Sequence, residues 1–225
     1  MNLKIDLKLF LFAIIFFFTH QIKMYALLMV FDLLHELGHL ICGLLLGFKP
    51  KTMAMNPWGF QIEFEVAIKE YHQKLGEGYY LNLKKIFIAL AGPLTNFLIA
   101  LICFLLPIQN SQAKEIIIYA NFLIAIFNLL PIYPLDGGRI LKELIQIKKG
   151  LQTAYKITNK TANVSMIALT VVASIAILYI HNIAILFILA YLWYLVARNN
   201  RWHQLKKRLY SLENNEMSIN EIIKQ

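Results

Sequence analysis

Met29-Val30-Phe31-Asp32-Leu33-Leu34-His35-Glu36-Leu37-Gly38-His39-Leu40-Ile41-Cys42 sets His35, Glu36 and His39 within five residues of each other inside an apolar run. On a helix, residues four apart share one face, so both imidazoles can present a ring nitrogen to a single metal ion. Glu36 adjoins the first histidine and can reach a water held on that ion. Ionisable groups are costly in hydrocarbon, so a cluster of this kind inside a membrane segment marks a functional site. A surface histidine pair is the plain alternative, and the flanks Met29-Val30-Phe31 and Leu40-Ile41-Cys42 argue against it.

The rest of the chain has the same texture. Of its 225 residues 59% are hydrophobic, and the mean hydropathy of +0.58 is too high for an ordinary soluble domain. The expected fold class is an all-α polytopic membrane protein of about six transmembrane helices. One domain covers residues 1–198, and residues 199–225 form a short basic cytoplasmic tail, too small for a core of its own. The spans are read at about 5–19, 24–47, 83–107, 113–131, 163–180 and 183–198, each near bilayer length or somewhat short of it. The first carries Asp6 and Lys8 and resembles a signal-peptide core. No small-residue cleavage site follows in His20-Gln21-Ile22-Lys23-Met24, so an uncleaved span is expected. His181-Asn182 should join the last two spans in a tight hairpin.

The net charge of +9 invites a nucleic-acid reading, but the position of the charges opposes it. With the spans drawn as above, every one of the 22 Lys and Arg residues except Lys23 and Lys114 falls on one side. That side should be the cytoplasm, with both termini and both long loops facing it. The excess charge then meets the anionic inner leaflet, and no nucleic-acid partner is expected. Arg198 to His203 reads as an interfacial anchor with Trp202 at headgroup depth. Cys42 and Cys103 give neither a disulfide framework nor a CxxC pair. Cys42 lies three residues past His39, yet the role of a small buried hydrophobe suits it better than that of a ligand.

Between the second and third spans, Phe60, Ile62, Phe64 and Val66 alternate with Gln61, Glu63, Glu65 and Ala67, the period of a strand. Asn56-Pro57-Trp58-Gly59 before them reads as a turn, and Met53 and Met55 as the partner strand. A β-hairpin over about residues 52–67 is therefore expected near the cytoplasmic face.

Two histidines are not enough for a hydrolytic zinc, which takes three protein ligands and keeps one position open. Asn128-Leu129-Leu130-Pro131-Ile132-Tyr133-Pro134-Leu135-Asp136-Gly137-Gly138-Arg139 offers the best third. Its prolines and glycines cannot continue the fourth span as a regular helix. Irregular backbone at membrane depth is tolerated only where it lines a cavity or is buried in protein. Asp136 stands where that stretch gives way to a helix beginning at Gly138. Alone it would read as an N-cap; beside an HExxH lacking a carboxylate, it reads as a ligand. Glu63, Glu65, Glu70 and Glu77 lie in the loop, and Asp32 is rotated off the histidine face. Asn128 and Asn96 are candidates for the site or for ordinary interhelical hydrogen bonds, Asn128 ahead of Asn96.

The two motifs together resemble the site-2 protease family of intramembrane metalloproteases. Within it they are similar to the branch typified by stage IV sporulation protein FB, over about residues 20–200. The resemblance implies one Zn2+ per chain held by His35, His39 and Asp136, with Glu36 as catalytic base and Asn128 near the scissile bond. It further implies a membrane hairpin that helps to hold substrate. The expected activity is endopeptidase cleavage of a membrane-embedded or membrane-associated protein in regulated proteolysis, a sporulation sigma-factor precursor being the branch's example. The expected partners are that substrate, the lipid bilayer of a bacterial-type cell membrane, and a membrane inhibitor or regulator. Members of the branch often carry a nucleotide-sensing CBS domain; this chain is expected to lack one, and to lack a PDZ insertion. A metal-ion transporter would also use midplane histidines and a broken helix, but it should show an internal repeat, and the halves show none. A non-catalytic zinc-bound scaffold would close its site with a fourth ligand, for which Cys42 is the nearby candidate.

Overall fold

The computed structural model describes residues 2–56, 59–65, 75–107, 111–180, 185–202 and 204. The elements run β1 (Asn2–Ile5), α1 (Lys8–Phe18), α2 (Ile22–Leu45), β2 (Lys49–Asn56), β3 (Gly59–Glu65), α3 (Leu75–Leu105), α4 (Ser111–Asn128), α5 (Asp136–Lys149) and α6 (Leu151–Ile180). Residues 185–202 are helical and are called α7.

The protein is an integral membrane protein, mostly helical as expected, but its helices do not share one length. Among the described residues, three are long and apolar enough to cross a bilayer: Ile22–Leu45, Gly78–Leu105 and Leu151–Tyr179. The first expected span shrinks to the 11 residues of α1, a rise of about 16 Å. The fifth starts at Leu151 rather than 163, and the fourth ends at Asn128 rather than 131. Helix α6 runs on beyond its apolar stretch, whereas α4 stops ahead of Pro131 and α1 begins only after β1. The expected turn at Pro57-Trp58, the hairpin at His181-Asn182 and most of the tail lie outside the described residues.

On α2 the two faces divide by chemistry. Val30, Leu34, Leu37, Ile41 and Leu44 are exposed, at steps of three and four, and form the stripe that lipid covers. Phe31, His35, Glu36, His39 and Gly43 are buried on the other side. The polar groups of this helix thus face protein, as an apolar solvent requires.

The expected hairpin is present, with strands somewhat shifted, and it belongs to a larger sheet. β2 and β3 pair antiparallel with Met53 opposite Ile62, and β1 adds in parallel on the far side of β2, with Asn2 opposite Thr52. The first span is expected from about residue 5; residues 2–5 instead form a strand that covers an edge which would otherwise present unpaired amides. The irregularity between Pro50 and Thr52 falls beside a proline, which cannot donate to a ladder. The sheet lies on α2 through Ile62, which is buried, and through Phe64, whose ring occupies the space a side chain at Gly43 would need.

The break after α4 is held by its own packing. Ile132 is fully buried among Ala162, Met166, Leu192 and Val196 from α6 and α7. The first turn of α5 rests directly on the break: a Cβ on Gly137 would strike the Leu129 carbonyl, and one on Gly138 the Tyr133 amide nitrogen. Only glycine permits that approach. Lys142 adds a polar clasp, with Nζ 3.3 Å from Glu143 Oε1 and 5.9 and 4.9 Å from the Tyr133 and Tyr155 rings. Burial works against its charge, but the Glu143 carboxylate and the two tyrosines prevail and raise its pKa.

Gly43→Val should force Phe64 out and loosen the sheet from α2, costing about 1–3 kcal/mol as overpacking does. Thermal unfolding in detergent should show a lowered Tm; an unchanged Tm would mean that the ring is not confined there.

Candidate metal centre

His35 and His39 stand one turn apart on α2, and both are buried. Asp136, the first residue of α5, reaches them across the break. Its Oδ2 lies 3.0 Å from His35 Nε2 and 3.1 Å from His39 Nε2, while the two Nε2 atoms are 3.1 Å apart. The alternative role of helix cap is not the one Asp136 plays: Leu135 is the N-cap, and no side-chain capping bond forms.

The hydrogen bonds behind the imidazoles fix where their protons sit. Asn121 Nδ2 donates to the Ile117 carbonyl at 2.9 Å, and a carbonyl can only accept. Its Oδ1 therefore accepts from Asn96 Nδ2 at 2.9 Å, which turns Asn96 Oδ1 toward His35 Nδ1 at 2.5 Å. His35 Nδ1 must donate, so Nε2 of the neutral ring carries a lone pair. His39 Nδ1 donates to the Ile88 carbonyl at 2.6 Å, with the same consequence. Two imidazole lone pairs and a carboxylate oxygen then point at one another in a buried space. One added proton relieves a single edge of that triangle; a divalent cation relieves all three. Zinc bonds of 2.0–2.1 Å in tetrahedral geometry separate neighbouring ligand atoms by about 3.3 Å, close to the spacing observed. Tying off the second ring nitrogen is also how proteins orient metal-binding histidines.

Among the described residues, His35, His39 and Asp136 form a group that could hold a metal ion, and Cys42 does not join it. Three protein ligands are the pattern of a catalytic zinc rather than a closed structural one. Arg139, one turn along α5, holds Nη1 3.5 Å from Asp136 Oδ1, leaving Oδ2 to the imidazoles. Gly92 of α3 backs the site closely: a side chain there would strike Nε2 of both rings. Glu36 is buried beside the triad and accepts a hydrogen bond from the Ile62 amide at 3.2 Å. Asn128 ends α4, half-buried, and makes no hydrogen bond to the triad.

The sequence puts Asn128 ahead of Asn96; of the two, Asn96 is the one hydrogen-bonded to His35. Asn121, Gly92 and Arg139 were passed over. Gly92-Pro93 inside a membrane helix was the available signal for a close approach, and Arg139 stands three residues after Asp136, on the same helix face. Nothing in the spacing of Asn121 separates it from an ordinary interhelical amide. Removing the amide chain should weaken metal binding without touching a ligand. Asn96→Leu is expected to lower zinc affinity about 10- to 100-fold, measured by competition with a chelator; unchanged affinity would detach Asn96 from the centre.

Residues 111–173, from α4 through the break into α6, match Peptidase family M50. The chain is similar to stage IV sporulation protein FB of Bacillus subtilis, 28% identical over 147 residues, which cover 64% of this chain and 48% of that protein. It is similar to zinc metalloprotease MJ0392 of Methanocaldococcus jannaschii, 30% identical over 140 residues, covering 60% of this chain and 38% of the relative. It thus spans less than half the length of these two curated relatives. A solved site-2 protease from Methanocaldococcus jannaschii has the same fold, with a TM-score of 0.63 at 21% identity over 88% of this chain and 89% of the other. The M50 match lies on the segment that carries Asp136, and the chain is similar to site-2 proteases in that segment and in its fold.

Proposed function

We propose that this protein is a zinc-dependent intramembrane endopeptidase acting on a membrane-embedded or membrane-associated protein, with both termini in the cytoplasm. The observation that carries the reading is the convergence of three lone-pair atoms from His35, His39 and Asp136 next to the Glu36 carboxylate. These three residues would hold one zinc ion. When bound, zinc supplies Lewis acidity, polarising a carbonyl and making water more acidic. Glu36 takes the proton of the attacking water and returns it to the leaving amine. Asn128 donates to the scissile carbonyl as its oxygen gains charge. Arg139 keeps Asp136 turned so that one oxygen stays on the imidazoles.

A helical substrate has its carbonyls engaged in backbone bonds and must unwind before attack. A cavity of about 480 Å³ beside the break, lined by Gln61, Glu63, Tyr133, Pro134, Tyr155 and Arg198 among others, has room for the unwound segment. The name of the Bacillus subtilis relative supports a sporulation setting, and nothing in the site requires one.

Glu36→Gln should retain about one zinc per chain and lose cleavage. Co-expression of wild type and this variant with candidate single-span proteins tests it, since a shortened product should arise with wild type alone. Product from the variant removes Glu36 from the base role. Asp136→Ala should lower bound zinc in elemental analysis; full occupancy would return Asp136 to a structural part.

A further inference from the structure

β3 has β2 on one side only, and its outer edge faces α2. Two of its amides end there on carboxylates: Phe60 N–H donates to Asp32 Oδ2 at 2.7 Å, and Ile62 N–H to Glu36 Oε2 at 3.2 Å. The spacing is commensurate. Residues four apart on a helix rise about 6 Å, and residues two apart on a strand about 6.7 Å. Helix α2 therefore presents Asp32 and Glu36 to this edge much as a neighbouring strand presents two carbonyls. Asp32 makes the shorter bond, and it is not one of the three residues whose ligand atoms converge, so its bond to the strand can be removed without removing a metal ligand.

We propose that Asp32 is a positioning residue: by gripping the Phe60 amide it sets the register of β3 on α2, and that register brings the Ile62 amide to Glu36. The inference rests on Glu36 being the base of the proposed reaction. One carboxylate oxygen of Glu36 is then tied to the strand, the side chain is confined to one orientation, and the other oxygen is left for proton transfer. Without Asp32 the strand can shift along the helix, the Ile62 bond is lost, and Glu36 swings among its rotamers. Reaction slows while the metal ligands stay in place.

The probe is a single-span peptide with a fluorophore and a quencher on either side of its apolar helix, chosen because wild type cleaves it. Asp32→Leu should lower kcat roughly tenfold, the worth of one buried charged hydrogen bond. Bound zinc should be unchanged, and deuterium exchange over residues 59–65 should be faster. Asp32→Asn keeps an acceptor and should recover most of the rate. Phe60→Pro removes the same bond from the strand side; its nitrogen points to α2 and away from β2, so the substitution removes the donor to Asp32 rather than one to the β2 ladder. It should match Asp32→Leu, while Phe60→Ala, which keeps the amide, should not. The double variant Asp32→Leu/Phe60→Pro should be no slower than either single one. Should Asp32→Leu fail to fold, the Phe60 pair carries the test. Equal kcat in wild type, Asp32→Leu and Phe60→Pro, or unaltered exchange, overturns the clamp. Cleavage by Glu36→Gln overturns the base assignment instead, so the two failures are distinct.

Discussion

The Ile117 carbonyl, which can only accept, sets the chemistry of a site three side chains away. Through Asn121 and Asn96 it decides which nitrogen of His35 bears the proton, while the Ile88 carbonyl decides it for His39. Both decisions leave a lone pair on Nε2. With Asp136 Oδ2 on the same point, the helices pack around a locus of concentrated negative potential. In water such an arrangement would be damped; in a buried site it is felt at close to full strength.

The membrane makes that arrangement both necessary and affordable in space. Asn96 and Asn121 are completely buried, and a buried amide without partners would be heavily penalised. Each finds its partners in the chain that orients the metal site, so one set of hydrogen bonds satisfies the lipid environment and fixes the imidazoles. The same logic governs the break after α4. Its irregular backbone sits at Ile132, sealed by α6 and α7, and its prolines remove donors that would otherwise need partners. The carboxylate of Asp136 can meet α2 because α4 stops where it does.

What the sequence disclosed follows from how narrowly chemistry constrains each residue. Metal binding admits few side chains and demands helical spacing, so His35, Glu36 and His39 stood out, and the shortage of a carboxylate pointed to Asp136. The alternation from Phe60 to Ala67 announced a strand for the same reason of period. Asn96 and Asn121 were hidden because an amide in a membrane helix has many uses. Asp32 stands three and seven residues before the histidines and so shares their face, contrary to the expectation that it is rotated away; only its bond to the Phe60 amide shows what it holds. The strand at residues 2–5 carried no pattern of its own, since four residues beside Asp6 and Lys8 show no period, and only the partner at Thr52 to Met55 defines it.

That small strand has a topological consequence. Hydrogen-bonded neighbours in one sheet occupy a single compartment, so Asn2–Ile5 and Lys49–Asn56 sit on the same surface of the bilayer. The polypeptide linking them must then traverse the lipid an even number of times. Counting α2 as one passage leaves the return to α1, whose eleven residues are too few to place it among the three helices long enough to cross a bilayer, so such a return would need a locally thinned membrane or deeply sunken ends.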